Sequence, residues 1–85
     1  MEEIPTGKVE KFFGKISVAA VRITGGELKV GDRIRIKGHT TDFEQTVDSI
    51  QVEHATVQKV GIGDEVGIKV KERVHEHDTV YVVRE

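Results

Sequence analysis

The side chains able to do chemistry fall into three groups. His75 and His77 lie two apart with Glu76 and Asp78 beside them, so on an extended chain the two imidazoles share a face and could ligate a metal. His39, Asp42 and Glu44 form a second set, suited on paper to metal ligation or acid–base work. No third histidine lies close to His75 and His77, so a solvated polar loop before the last strand accounts for them, and a loop crown that hydrogen-bonds itself accounts for the His39 set. The chain has no cysteine, which excludes thiolate nucleophiles and thiolate metal sites. No Ser/His/Asp arrangement sits on a nucleophile elbow. The expectation is therefore no enzyme, no metal and no cofactor. The third group is basic. Arg33, Arg35 and Lys37 alternate along one strand, and Lys69 and Lys71 along another, with Arg73 after them. If those faces adjoin, they form a cationic stripe able to follow phosphates. If they do not, they are an ordinary charged surface, in keeping with a net charge of −2.

The elements that must carry these groups are extended. Arg33-Ile34-Arg35-Ile36-Lys37 alternates polar and apolar without a break, the mark of a strand with one buried face. Gly31-Asp32 precedes it as a turn. Gly63-Asp64 before Val66-Gly67-Ile68-Lys69-Val70 repeats the device, and His77-Asp78 before Val80-Tyr81-Val82 is a third version with His in the glycine position. Further strands are expected over Gly7 to Phe13, over Ile16 to Ile23 and over Phe43 to Glu53. In the last, a bulge near Asp48-Ser49 reconciles Val47 with Ile50. His54 to Ile62 is read as a loop, with Val57 and Val60 as anchors. About six strands and no helix follow. The predicted fold is all-β: a small closed barrel of about six strands, since closure removes exposed edges. Residues 1–6 are expected to be a flexible lead-in and residues 7–85 the single barrel domain. Inward positions are Val9, Ile34, Ile36, Ile50, Val52, Val66, Ile68, Val80 and Val82, with Leu28 and Val30 plugging an end. No apolar run is long enough for a membrane span or a signal peptide, so a soluble cytoplasmic domain is expected.

Three stretches carry a resemblance. Leu28-Lys29-Val30-Gly31-Asp32-Arg33-Ile34, Thr46-Val47-Asp48-Ser49-Ile50-Gln51 and Gly63-Asp64-Glu65-Val66-Gly67-Ile68-Lys69 resemble the second domain of translation elongation and initiation GTPases. That family's domain is a six-stranded Greek-key barrel. No G-x-x-x-x-G-K-[ST] phosphate loop is present, so no GTPase activity is expected. In members that carry aminoacyl-tRNA, a Glu and an Arg or His on the long fourth strand help hold the aminoacylated adenosine. The resemblance puts those positions at Gln51 and His54. Gln51 keeps hydrogen-bonding ability and loses the charge, and Ser-Ile-Gln is closer to the variant in initiation-type and selenocysteine-type factors. Gly38-His39-Thr40-Thr41-Asp42-Phe43, with Gln45-Thr46, also resembles the C-terminal barrel of collagenase-like peptidases, some of whose relatives act in RNA and cofactor hydroxylation.

Two functions are compatible with these readings. The first is an RNA- or ribonucleoprotein-binding module that meets tRNA or rRNA. Its contacts would be Arg22, Arg33, Arg35, Lys37, Gln51, His54, Lys69 and Lys71, and its binding would depend on salt. The second is an adaptor that docks onto a protein partner such as a GTPase or a modification enzyme. It needs an exposed apolar patch, expected around Phe12, Phe43 and Val57.

Overall fold

The computed structural model describes residues 2–84. The described residues form ten strands and no helix. These are β1 (Glu2–Phe13), β2 (Val18–Ile23), β3 (Leu28–Lys29), β4 (Arg33–Lys37), β5 (Asp42–Thr46), β6 (Ile50–Val52), β7 (Ala55–Val57), β8 (Lys59–Val60), β9 (Glu65–Lys69) and β10 (Thr79–Arg84). Eight make one sheet in the order β5-β4-β10-β1-β2-β9-β6-β7, and β3 pairs with β8. The pairs are antiparallel throughout.

The alternating stretches bury the side chains their pattern promised. Val9, Ile34, Ile36, Ile50, Val66, Ile68, Val80, Val82 and Leu28 are all in the core. Val30 and Val52 are only partly buried and pack against it. The three Asp turns are one structure used three times. Gly31, Gly63 and His77 have φ of 96°, 95° and 74°. The Asp carboxylate that follows accepts an N–H from three residues back: Lys29 to Asp32 at 3.0 Å, Gly61 to Asp64 at 2.9 Å and His75 to Asp78 at 2.8 Å. Each Asp N–H returns a bond to the carbonyl of that same residue. A left-handed residue followed by a self-bonded Asp thus starts β4 and β9, and His77-Asp78 does the same for β10.

Several expectations are corrected. Residues 2–6 are not a free lead-in; they belong to β1 and pair with β10, from Glu2 opposite Arg84 onward, while Met1 lies outside the described residues. The strand expected over Phe43 to Glu53 is two strands at distant places in the sheet order, β5 and β6. Val47 between them is fully buried, so the three-residue spacing from Val47 to Ile50 is a chain crossing rather than a bulge within a ladder. The loop expected over His54 to Ile62 contains β7 and β8, and its anchors Val57 and Val60 face inward. The strand expected from Ile16 begins at Val18, because Ile16 sits in the β1–β2 turn, where Ser17 adopts φ 54°.

The expected closed six-stranded ladder is also not what the backbone forms. Among the described residues no ladder joins β5 to β9 or β6. The sheet nonetheless curls. Six strand spacings separate β5 from β6, roughly 29 Å if flat. The three residues between these strands span at most about 14 Å. One side chain bridges the seam: Gln45 Nε2 donates to the Lys69 carbonyl at 2.8 Å, and its Oε1 accepts the Lys71 N–H at 2.9 Å. The amide of Gln45 takes the role that a paired backbone would have in a continuous ladder.

Candidate functional site

On β4, Ile34 and Ile36 point inward, which turns Arg33, Arg35 and Lys37 outward as expected. Their charges are already engaged. Arg35 donates to Asp42 at 2.7 Å and to Glu3 at 2.9 Å, and Arg33 donates to Glu44 at 2.9 Å. Asp42 and Glu44 lie on the neighbouring β5, opposite Lys37 and Arg35 in the register. The Arg35 guanidinium holds the Asp42 carboxyl below the ordinary carboxylate range. Asp42, and then Glu3, raise Arg35 further above its already high value. Arg22, outward on β2, donates to Glu10 at 3.1 Å and lies 3.5 Å from Glu65. Its guanidinium draws the Glu10 carboxyl down in the same way.

β4 and β9 are not neighbours in the sheet, so the two basic faces do not adjoin through a ladder. They approach only across the Gln45 seam. There Arg33, Lys69 and Lys71 share an open groove of about 490 Å³ with Glu44 and Asp48. Lys37, Lys69 and Lys71 have no carboxylate partner among the described residues.

Gln51 and His54 lie on a different face. Val52 pairs with Ala55, so Glu53 and His54 are the whole loop of the β6–β7 hairpin, with φ of 48° and 68°. Positive φ at both loop residues is the twist-matched hairpin turn that Asn-Gly usually fills. Gln51 faces out beside them. Both line a hollow of about 270 Å³ with Glu10, Glu53, Glu65 and Phe13. Three carboxylates in the wall make this a poor receptacle for a phosphate.

The histidine sets resolve into a structural turn. His39, His75 and His77 border one hollow with Gly38 and Asp78. Asp78 is buried, and its carboxylate fits because position 38 has no Cβ, which would collide with it. Thr41 Oγ1 lies 2.9 Å from His75 Nδ1, and the Asp78 carboxylate approaches the same nitrogen at 3.9 Å. A hydroxyl and a carboxylate on one ring nitrogen is not a nucleophile–base–orienter relay, which needs the two on opposite nitrogens. Among the described residues no three His, Cys, Asp or Glu side chains are placed to hold a metal.

The exposed apolar patch was expected around Phe12, Phe43 and Val57. Phe43 is buried, and Phe12 and Val57 pack against the core. The exposed rings and chains are elsewhere: Phe13 is 41% and Ile16 59% exposed, flanking the β1–β2 turn. Ile62, 71% exposed, stands alone on the β8–β9 loop. Alternation on β1 required one of Phe12 and Phe13 to face out, but nothing in the sequence marked Ile16 as a turn residue.

Comparison with known proteins fixes the family. Residues 17–76 match the family described as elongation factor Tu domain 2. The chain belongs to that family. It is also similar to longer proteins. It is 39% identical over 84 residues to the "Uncharacterized protease MJ0090" of Methanocaldococcus jannaschii, covering 98% of this chain and 20% of that protein. It is 41% identical over 81 residues to a protein named collagenase from Porphyromonas gingivalis, covering 94% of this chain and 20% of the relative. The chain thus spans about one fifth of the length of the curated relatives it matches. Among solved structures, the C-terminal domain of a Geobacillus thermoleovorans putative U32 peptidase superposes with a TM-score of 0.88 at 19% identity, over 96% of this chain and 93% of that one. At that identity the likeness speaks to the fold alone. Both resemblances drawn from the sequence, to translation-factor domain 2 and to the appended barrel of collagenase-like peptidases, are thereby met.

Proposed function

We propose that this member of the elongation factor Tu domain 2 family is a non-catalytic accessory module that docks onto a peptidase-type protein. The curled sheet acts as a barrel with its seam closed by Gln45, and its exterior carries the contact. One observation carries the reading: Phe13, with only the Lys11 ammonium over its ring, and Ile16 in the adjoining turn are exposed beside Val18 and Ala20. Desolvating a large apolar side chain is worth about 1.5–3 kcal/mol, so two of them anchor a small interface. The named relatives supply the candidate partner, because four fifths of each lies beyond the region this chain matches.

Contact with tRNA or rRNA is the second reading. It rests on Lys37, Lys69 and Lys71, which among the expected contacts are the cations with no carboxylate partner among the described residues. Arg22, Arg33 and Arg35 would first have to leave their acidic partners, and Gln51 and His54 face carboxylates.

The test is a pair of titrations of the 85-residue chain. One uses the Methanocaldococcus relative lacking the segment that this chain matches, and the other uses bulk tRNA at low salt. The docking reading expects saturable binding to the first, weakened more than about tenfold by Phe13→Ser with Ile16→Ser. Binding to tRNA alone, with steep salt dependence, would overturn it in favour of the RNA reading.

A further inference from the structure

The sheet face beside Phe13 carries a trough. In the register, Lys11, Ala20, Gly67, Gln51 and Thr56 are successive partners across β1, β2, β9, β6 and β7. Directly paired residues share a face, so Ala20 and Gly67 give this outward row a floor with almost no side chain. Two hollows of about 270 and 240 Å³ meet over it, sharing Val18, Gln51 and Gly67.

No backbone constraint requires glycine at position 67. Its φ is not in the left-handed region, and an added Cβ would meet no backbone atom closer than 3.9 Å, although it would press on the Val18 side chain at 3.3 Å. Gly7 differs, since its Cβ would strike the Arg22 carbonyl at 2.9 Å. Glycine inside a strand costs stability, and where no turn or backbone crossing needs it, it marks a place that something else approaches closely.

The walls have a polarity. At one end stand Glu10, Glu53 and Glu65, with Arg22 spanning the first and last. At the other stand Ile16 and Val18, with Lys69 paired directly opposite Val18. Three carboxylates against the Arg22 guanidinium and the Lys11 ammonium, which lies over the Phe13 ring at 5.3 Å, leave the first end net negative, while the second is apolar with Lys69 beside it.

We propose that this trough receives an extended segment of a partner protein that carries a basic side chain next to an apolar one. The arginine or lysine lies over Ala20 and Gly67 toward Glu10, Glu53 and Glu65, and the apolar neighbour covers Phe13, Ile16 and Val18. Lys69 fixes the direction by repelling a cation at the apolar end. This rests on the docking reading above and specifies the chemistry of the contact.

The test uses the isotope-labelled 85-residue chain and three blocked pentapeptides: acetyl-Gly-Leu-Arg-Leu-Gly-amide and its versions with Gln or Glu in place of Arg. Amide shifts are expected at Ala20, Gln51 and Gly67 with the Arg peptide. Binding should fall roughly tenfold with the Gln peptide, and by a similar factor for the Arg peptide when Glu53→Gln and Glu65→Gln are combined. Equal binding of the Arg and Gln peptides, no shift with any peptide, or stronger shifts at these amides with an oligouridylate would each overturn the proposal. The same double variant titrated against the truncated Methanocaldococcus relative separates the two levels. Unchanged affinity there removes the basic-segment proposal and leaves docking standing. No affinity for the unsubstituted chain removes docking itself, whatever the peptides do.

Discussion

Arg35 shows how a residue expected from sequence as a ligand contact is already engaged by carboxylates within the fold. Its outward position follows from alternation with Ile34 and Ile36, but the carboxylates that engage it come from β5 and from the start of β1, 7 and 32 residues away. No spacing rule announces a partner at 32 residues. The pair has a pH signature. Asp42 titrates below its ordinary value when folded, so its contribution is present at neutral pH and is lost as pH falls through that lowered midpoint. Carboxyl NMR titration should place the Asp42 midpoint below the model-peptide range, and Arg35→Gln should return it there. The core positions were far more legible. Ile34 is fully buried, and Ile34→Asp puts a carboxylate where nothing can pair with it. Against a total stability of about 4–13 kcal/mol for a chain of this size, that variant should show no cooperative melt by circular dichroism. His77 is the opposite case. It holds a left-handed φ of 74° where the two sister turns have glycine, so His77→Gly should raise stability by about 1 kcal/mol in denaturant titration.

At the scale of elements, local signals served well where the chain turns and poorly where it crosses. The turn-to-strand device was readable because Gly-Asp before an alternating run has a local physical cause. Asp32, Asp64 and Asp78 confirm it with the same reciprocal hydrogen bonds. The split between β5 and β6 was not readable, since Val47 and Ile50 are both inward and their neighbours are set only by the curl of the sheet. The hairpin at Glu53-His54 escaped for a related reason: neither residue is a usual occupant of a two-residue turn with positive φ. Gln45 is where the seam can be tested. Gln45→Ala removes both bonds across it and leaves the Lys69 carbonyl and Lys71 N–H to water, and the loss should be about 1–3 kcal/mol. Gln45→Glu keeps one acceptor but loses the donor to Lys69, so it should fall between. If both variants melt like the parent, the seam is held by the Val47 crossing alone.

For the whole molecule, the all-β class and the family were legible, while which outward groups engage one another was not. Fold follows from which residues are inward, and alternation reports that directly. The working face depends on which outward groups remain unsatisfied after folding. That is a property of pairs: Arg22, Arg33 and Arg35 found carboxylates, while Phe13 keeps only the Lys11 ammonium over its ring and Ile16 stays largely exposed. On the docking reading, the candidate neighbour is the rest of a longer relative of which this chain matches about a fifth. Docking in that setting need not be tight, because a covalent tether supplies an effective concentration in the millimolar range. The most direct measurement is therefore a hydrogen-exchange comparison of this chain alone and of the same chain fused into the Methanocaldococcus protease in place of the segment it matches. Added protection over residues 13–20 and at Gly67, with Lys37 and the Gln45 seam unchanged, is the predicted result. Identical exchange over residues 13–20 in the two settings would contradict it.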